Sequence, residues 1–324
     1  MSVFGVIGLG SIGKKHVANL RKKYPKSIIY SVSSSGKNRV FPEDANALVS
    51  FEELISKSPN LVIVASPAPY HAYFSEALIT KQIPILIEKP LSDKIEDCYR
   101  IIKLAEKNIF KKIAVGYCLR FLPSAQIIKK LIDANELGEI YSVHSSVGQY
   151  LPNWRNDKNY KNSVSAIKDL GGGALLELSH EIDYLIWFFG NLSIRNSFIR
   201  RSNELAIEVE DLVDISLVSL NNVFISMHAD FLQKSPSRYC EIIAQKGRLY
   251  WNLLENSVTL FDEKGEHILF SNPEFDKNEM YISMIDCFQN LDKTSYSQIA
   301  TILDGKNVVE LIEKARLINT WKAD

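Results

Sequence analysis

The sequence predicts an α/β protein of two domains, a doubly wound parallel sheet followed by an α/β domain with an open, mostly antiparallel sheet. The first observation is length, because 324 residues exceed what one hydrophobic core usually organises. The second is that short, continuously apolar runs alternate with helical patterns up to about residue 118. The third is that alternating strands at hairpin spacing follow. We therefore expect domains at residues 1–118 and 119–324.

The N-terminal strands are apolar at every position rather than at alternate positions. Such strands are typical of a parallel sheet that helices cover on both faces. The predicted strands are Val3–Ile7, Ser27–Val32, Leu61–Ala65, Ile83–Ile87 and Lys112–Gly116, and the predicted helices are Ile12–Tyr24, His71–Lys81 and Lys94–Lys107. This alternation of strand and helix predicts the doubly wound sheet.

The C-terminal strands alternate in polarity. Within Ile140–Val147, Val143 and Val147 face one side and Ser142 and His144 the other. Further strands are predicted at Asp214–Leu220, Val223–Phe231, Cys240–Ala244, Arg248–Asn252 and Ser257–Phe261, and helices at Ser124–Ala134, Glu279–Asn290 and Val308–Trp321. Only one face of such a sheet can pack on the domain's own helices, so the other face stays open.

Composition excludes several classes of function. Thirty-eight basic and 38 acidic residues leave no net charge, so neither nucleic acid nor an anionic membrane is expected as a partner. The four cysteines are Cys98, Cys118, Cys240 and Cys287. They form no Cys-x-x-Cys pair, so neither a metal site nor a disulfide framework is expected. Because Val3 already begins a strand and the apolar run Leu185–Phe189 is too short for a bilayer, we expect a cytoplasmic protein.

A glycine-rich turn joins the first predicted strand to the first helix, in the order Gly-Leu-Gly-Ser-Ile-Gly. Gly8 permits the tight turn, Gly10 lets the backbone approach a pyrophosphate, and Gly13 allows the helix to pack closely on the strand. Ser11 and Ile12 open the helix, where backbone N–H groups and the helix dipole favour a phosphate. The alternative is that the glycines only fill a turn. The strand–turn–helix context favours a Rossmann dinucleotide site.

The segment after the second strand refines the cofactor. An NAD site usually carries Asp or Glu here to bind the ribose 2′-hydroxyl. Instead, the sequence has Ser33, Ser34 and Ser35, followed by Arg39. The three serine hydroxyls and the Arg39 cation suit a 2′-phosphate. The sequence therefore predicts NADP rather than NAD, the alternative being a serine-rich surface loop.

Three motifs carry a resemblance to a known family. They are Gly8–His16, Ser66–His71 (Ser-Pro-Ala-Pro-Tyr-His) and Glu88-Lys89-Pro90. In order and spacing the chain resembles the glucose–fructose oxidoreductase, inositol dehydrogenase and rhizopine-catabolism (Gfo/Idh/MocA) family. The resemblance implies a Rossmann domain, an open-faced second domain, sugar or cyclitol substrates, and a homodimer or homotetramer. It also places Ser66, Pro67, His71, Glu88 and Lys89 at the cofactor.

The second domain departs from the family pattern of an Asp four residues before the catalytic His. Here Glu177 stands three residues before His180. The stretch Glu177–Tyr184 resembles a subgroup with an acidic-x-x-His-Glu-x-Asp pattern, which is linked to bacterial surface-sugar biosynthesis. This departure leaves the identity of the sugar open.

The same stretch has a chemical interpretation. If the chain is helical from Ala174, Glu177 and His180 share a face, and Asp183 lies one turn beyond beside His180. A carboxylate there would orient the imidazole and suit it to act as a general base. Lys89, at the end of a strand, would stabilise the reacting oxygen. The alternatives are a helix whose polar side chains face water and an ion pair between Glu88 and Lys89.

We therefore expect hydride transfer between NAD(P) and a hydroxyl-bearing carbon, without a metal. The candidate substrate-binding residues are Tyr117, Arg120, Tyr150, Trp154, Arg155 and Glu177. An interdomain ion pair remains an alternative for Arg120, and packing for Trp154. Two other functions stay open: a cofactor-recycling oxidoreductase or glycosidase of the family, and a non-catalytic NAD(P)-binding sensor. The sugar, the carbon and the direction of the reaction stay undetermined.

Overall fold

A computed structural model describes residues 1–35, 42–47, 50–154, 159–290 and 298–321. The chain forms two compact units, Met1–Cys118 with Lys277–Val309, and Leu119–Asp276 with Glu310–Asp324. The expected division into 1–118 and 119–324 assigned residues 277–309 to the second domain. They group with the first unit instead, because helix Glu279–Gln289 packs on the first helix of the chain.

A six-stranded parallel sheet organises the first unit. Its strands are β1 (Val3–Ile7), β2 (Ile28–Val32), β3 (Asn46–Ala47), β4 (Leu61–Val64), β5 (Ile85–Ile87) and β6 (Ile113–Val115). They lie in the order β3-β2-β1-β4-β5-β6, the order of a Rossmann fold. Strands β4, β5 and β6 are buried at every position, as continuous apolarity predicts. The order reverses between β1 and β4, where ligands of such sheets bind.

Helices connect these strands. They are α1 (Ser11–Lys23), α2 (Phe51–Ser56), α3 (His71–Thr80) and α4 (Ile95–Lys107), and α8 (Glu279–Gln289) joins them from late in the chain. Helix α2 is short, and the hydrophobic pattern of the sequence did not predict it. Its N-terminus is capped by the Ser50 hydroxyl, which accepts a hydrogen bond from the backbone N–H of Glu53 at 3.1 Å.

An eight-stranded sheet organises the second unit. Its strands are β7 (Ile140–Gly148), β8 (Leu192–Arg200), β9 (Leu212–Ser219), β10 (Phe224–Asp230), β11 (Ser237–Ala244), β12 (Gly247–Asn252), β13 (Ser257–Asp262) and β14 (Gly265–Ser271). They lie in the order β14-β13-β12-β11-β7-β10-β9-β8. Every neighbouring pair is antiparallel except β7 with β10. The mostly antiparallel second sheet confirms the predicted fold class.

The predicted alternation appears in this sheet. Val143 and Val147 of β7 are buried, whereas Ser142 and His144 are partly exposed. The helices of this unit are α5 (Pro123–Asp133), α6 (Ala174–Glu177) and α7 (His180–Phe189). Tyr184 of α7 lies against the sheet core, where its hydroxyl is 2.6 Å from that of Ser145.

The last helix, α9 (Ile302–Leu317), begins six residues before the predicted start at Val308. Thr301 and Asp304 cap it reciprocally: Asp304 accepts from the Thr301 N–H at 2.8 Å, and Thr301 accepts from the Asp304 N–H at 3.2 Å. It ends before the predicted Trp321, because Asn319 pairs with β8. Among the described residues, no helix is long and apolar enough to cross a membrane.

Candidate functional site

The candidate residues fall in both units. In the first unit, the glycine loop follows β1. Gly8 has φ +108°, a conformation that side chains other than glycine rarely adopt, and a methyl group at Gly13 would collide with the carbonyl oxygen of Gly8. At Gly10, by contrast, an added methyl group would meet nothing within 4 Å. Two glycines are thus required by the fold, while the third leaves open space.

The N-terminus of α1 is suited to an anion. Gly10 is its N-cap and contributes no side-chain hydrogen bond, and the first turn contains no acidic residue. Ser11 and Ile12 therefore begin the helix with backbone N–H groups that the helix itself does not bond. With the open space at Gly10, these groups fit the pyrophosphate of a dinucleotide.

Three serines follow β2. Ser33 and Ser34 are partly exposed and Ser35 is exposed, and the Ser33 and Ser35 hydroxyl oxygens lie 3.4 Å apart. No carboxylate stands at these positions. Arg39, the cation predicted to accompany them, lies outside the described residues.

The Glu-Lys-Pro motif follows β5. Glu88 is buried, and its carboxylate accepts hydrogen bonds from the His16 ring at 2.6 Å and the Lys89 N–H at 3.2 Å. Burial alone would raise the pKa of Glu88, but the hydrogen bond and charge of His16, together with Lys89, bring the pKa below its ordinary value. The carboxylate of Glu88, predicted to bind the cofactor, is thus hydrogen-bonded to groups of the protein. Lys89 remains partly exposed.

His71 joins two loops of the first unit. Its ring nitrogens lie 2.9 Å from the carbonyl oxygen of Pro90 and 2.8 Å from that of Ser66. Burial lowers the pKa of His71, against the opposing effect of these hydrogen bonds. His71, predicted to lie at the cofactor, is 1% exposed, and its ring links the loops after β4 and β5, which contain Pro67 and Lys89.

In the second unit, the helix expected from Ala174 is interrupted. It ends at Glu177, and α7 begins at His180. Between them the turn tightens, because the Glu181 N–H bonds to the Leu178 carbonyl, a three-residue span. The prediction of one continuous helix that carries both Glu177 and His180 is therefore wrong. Both side chains are partly exposed.

The two acids after His180 are buried and paired with arginines. Arg120 binds Asp183 through Nε at 3.0 Å and Nη2 at 2.7 Å. Arg238 binds Glu181 through Nε at 2.7 Å and Nη2 at 3.0 Å. Asp183, predicted to orient His180 directly, holds Arg120, and Arg120, predicted to bind substrate, is 2% exposed in this ion pair. An ion pair was the alternative for Arg120, although its partner lies in the same unit.

The other predicted substrate residues have varied surroundings. Tyr117, in the first unit, is 1% exposed. In the second unit, the Tyr150 ring lies 3.3 Å from the Lys234 ammonium, and the Trp154 ring packs edge-on against Phe231 at 5.3 Å. Arg155 lies outside the described residues.

Two residues of these arrangements, Glu181 and Arg238, were not among the predicted site residues. Glu181 stands inside a quoted motif, as does His16, which the family resemblance places near the cofactor. Arg238 had no local signal, because its partner is 57 residues away. Within the described ranges, no group of three or more His, Cys, Asp or Glu side chains is arranged to hold a metal ion.

Models of one protein family match both units. The model described as an oxidoreductase family with an NAD-binding Rossmann fold matches residues 3–117. The model described as the GFO/IDH/MocA C-terminal domain matches residues 125–250. Together the matched segments cover well over half of the chain.

Curated relatives are dehydrogenases. Glucose-6-phosphate 3-dehydrogenase of Bacillus subtilis is 28% identical over 250 residues, which cover 70% of this chain and 67% of that protein. Inositol 2-dehydrogenase of Pseudomonas fluorescens is 25% identical over 262 residues, covering 75% and 72%.

Solved structures share the fold. Levoglucosan dehydrogenase in complex with NADH and levoglucosan has a TM-score of 0.80 at 19% identity, covering 98% of both chains. UDP-N-acetylglucosamine 3-dehydrogenase of Acidithiobacillus ferrooxidans has a TM-score of 0.78 at 15% identity, covering 98% of this chain and 97% of that one. At these identities the likeness concerns the fold alone.

Proposed function

We propose a dehydrogenase function from one premise: this chain belongs to the Gfo/Idh/MocA oxidoreductase family, with an NAD-binding Rossmann fold. It transfers a hydride between NAD(P) and a hydroxyl-bearing carbon of a sugar, nucleotide sugar or sugar derivative. The observation that carries the proposal is the glycine loop, which offers open space at Gly10 beside the uncapped N-terminus of α1. The names of the curated relatives support the sugar class.

Lys89 and His180 carry the chemistry in this proposal. During oxidation, a ring nitrogen of His180 takes the proton of the substrate hydroxyl, and the Lys89 ammonium donates a hydrogen bond to the same oxygen. Glu177 binds a neighbouring substrate hydroxyl. When bound, the nicotinamide supplies the hydride acceptor for oxidation and the hydride donor for reduction. In reduction, His180 returns the proton to the oxygen.

Preference for NADP over NAD is part of the proposal. Support comes from Ser33, Ser34 and Ser35, which stand where NAD sites usually carry a carboxylate. Hydroxyls can donate hydrogen bonds to a 2′-phosphate, whereas a carboxylate would repel it.

The open face of the second sheet supports a homodimer or homotetramer. The side chains of His144, Ser226 and Tyr239 on this face are partly exposed, and a second copy would cover them. We expect a mass of at least two chains by light scattering, and a monomeric mass would overturn this assembly.

The first experiment is a fluorescence titration of cofactor-stripped protein with NADPH and with NADH, on wild type and Gly10→Ala. Alanine adopts the extended backbone of Gly10 (φ −72°, ψ −177°) and meets no neighbour there. We therefore expect unchanged thermal stability. The added methyl group would occupy the open space that fits the pyrophosphate, so we expect at least about tenfold weaker binding of the cofactor, equivalent to about 1.4 kcal/mol. Gly13→Ala is the contrasting variant, because its methyl group collides with Gly8 and should destabilise the fold.

Each outcome has a definite meaning. Tighter binding of NADPH supports the NADP preference, and equal affinities exclude it. Turnover is then screened with glucose 6-phosphate, myo-inositol, levoglucosan and UDP-N-acetylglucosamine. A folded wild type that binds neither cofactor would end the dehydrogenase proposal, and unchanged binding by Gly10→Ala would remove the loop from the site.

A further inference from the structure

The start of α7 places His180 among buried charges. His180 is the first residue of the helix and is partly exposed. Glu181 and Asp183, one and three positions later, are each 0% exposed. Acidic residues in a first helical turn interact favourably with the helix dipole, but surface positions would serve that purpose equally. Their complete burial requires another explanation.

Each buried acid forms a two-point contact with an arginine. Glu181 uses both oxygens to accept from Nε and Nη2 of Arg238 on β11, at 2.7 and 3.0 Å. Asp183 does the same with Arg120 of the 3-10 helix Cys118–Phe121, at 3.0 and 2.7 Å. Paired planar groups of this kind restrict rotation as well as distance, which a single ammonium contact does not.

The two pairs hold the helix from different sides. Residues two positions apart on an α-helix point about 200° apart around its axis, since each residue turns about 100°. Arg238 belongs to β11, in the middle of the second sheet, whereas Arg120 precedes α5. The Arg120 guanidinium also lies over the Trp187 ring of the same helix, 5.6 Å from its centroid. The first turn of α7 is thereby held from two elements at once.

Stability alone does not account for buried ion pairs. Replacing such a pair by packed apolar residues is often neutral or stabilising, because both charges lose their hydration. The interior of α7 already has apolar anchoring, since Tyr184 packs against Trp251 at 5.1 Å. What the pairs add is a defined rotation and depth for the residue at the start of the helix, which is His180.

We propose that Arg238 and Arg120, acting through Glu181 and Asp183, are positioning residues for His180. The proposal rests on the proposed function of His180 as the acid/base group. It assigns the two acids of the His-Glu-x-Asp stretch to holding the imidazole in place, with no part in proton transfer themselves.

The test is Arg238→Lys, which keeps the charge but loses the two-point contact. The control is Arg248→Lys on β12, whose partner Glu241 belongs to the same sheet but not to α7. With NADP⁺ or NAD⁺ and the sugar that turns over in the screen, we expect kcat to fall about 10- to 100-fold in Arg238→Lys. KM should change less than about threefold, since the contact positions a reacting group rather than the substrate. The control should retain wild-type kcat.

A double variant separates positioning from general structural support. If Arg238 acts through His180, then Arg238→Lys added to His180→Gln lowers kcat no further. A fully additive loss would overturn the proposal, as would a lowered thermal midpoint with unchanged kcat. Should Arg238→Lys fail to fold, Glu181→Gln replaces it in the same scheme, since Arg238 is 22% exposed and its charge can reach water.

A readout without turnover keeps this proposal distinct from the proposed function. The ring signals of His180 in an NMR spectrum of the unliganded protein are assigned by their loss in His180→Gln. Arg238→Lys should shift these signals, and Arg248→Lys should leave them unchanged. Unmoved signals in Arg238→Lys would refute the positioning role even if the wild type oxidises no sugar. If His180→Gln retains full turnover, the proposed function fails instead.

Discussion

The loop after β5, which contains Lys89, and the start of α7 in the second unit share one arrangement, a buried ion pair, with different partners. In each, a carboxylate adjacent in sequence to the proposed reacting residue is buried and bound to a distant basic side chain. Glu88 accepts from His16 at 2.6 Å, and Glu181 from Arg238 at 2.7 Å. One ring nitrogen of His16 contacts the Glu88 carboxylate, whereas the Arg238 guanidinium binds both oxygens of Glu181. The difference teaches that the second pair fixes rotation as well as distance, whereas the first fixes distance alone.

The largest effect should come from removing the reacting residues themselves. Lys89→Ala and His180→Ala should each lower kcat by about 10²- to 10⁴-fold, the usual contribution of a general acid or base. Cofactor affinity in His180→Ala should stay within a few fold of wild type by fluorescence titration. Near-wild-type turnover in both variants would show that neither unit holds the reacting group assigned to it.

Glu88→Gln should give the next largest effect, on stability. It removes a buried charge from His16 while keeping the shape of the side chain, so we expect a loss of about 1–3 kcal/mol in the free energy of unfolding. The control is Glu76→Gln, whose partner Arg100 is exposed, with an expected loss of at most about 1 kcal/mol. Denaturant titrations measure both losses. Equal losses would show that burial does not increase the contribution of the Glu88 pair to the free energy of unfolding.

The same pair carries a pH dependence with a definite sign. Because the folded pKa of Glu88 lies below its ordinary value, its contribution is present above the ordinary carboxyl range and is lost as pH falls through the folded pKa. The stability difference between wild type and Glu88→Gln should therefore shrink in acid. A difference that grows as pH falls would contradict this sign.

The smallest effect should come from a histidine on the open sheet face. His228 lies 2.8 Å from both Asp214 and Asp230, and their hydrogen bonds raise its pKa to about 9. Its stabilising contribution is complete below the ordinary histidine pKa of about 6.5 and is lost as pH rises through about 9. The thermal midpoint of wild type should decline slightly more than that of His228→Gln across this window. Parallel declines would show that the pair contributes nothing.

The local features of this chain were predictable from sequence because they depend on neighbours. Continuous apolarity identified the buried strands β4 and β5, and the glycine spacing identified the loop before α1. The capping pair Thr301 and Asp304 was also visible in the sequence, although the predicted start of α9 overlooked it. The break in the helix after Glu177 was not visible in the sequence, because residues 174–183 contain neither Pro nor Gly.

The sequence by itself determined the two-domain α/β class, the dinucleotide loop and the residue types available for chemistry, because hydrophobic period and turn chemistry act over a few residues. Only the tertiary structure decided which charges meet. Asp183 and Glu181 find arginines 63 and 57 residues away, and His16 finds Glu88 across 72. Burial removes water from these groups and forces each to take a protein partner. Which partner it takes depends on strand order and helix placement, and neither is written in the neighbouring residues.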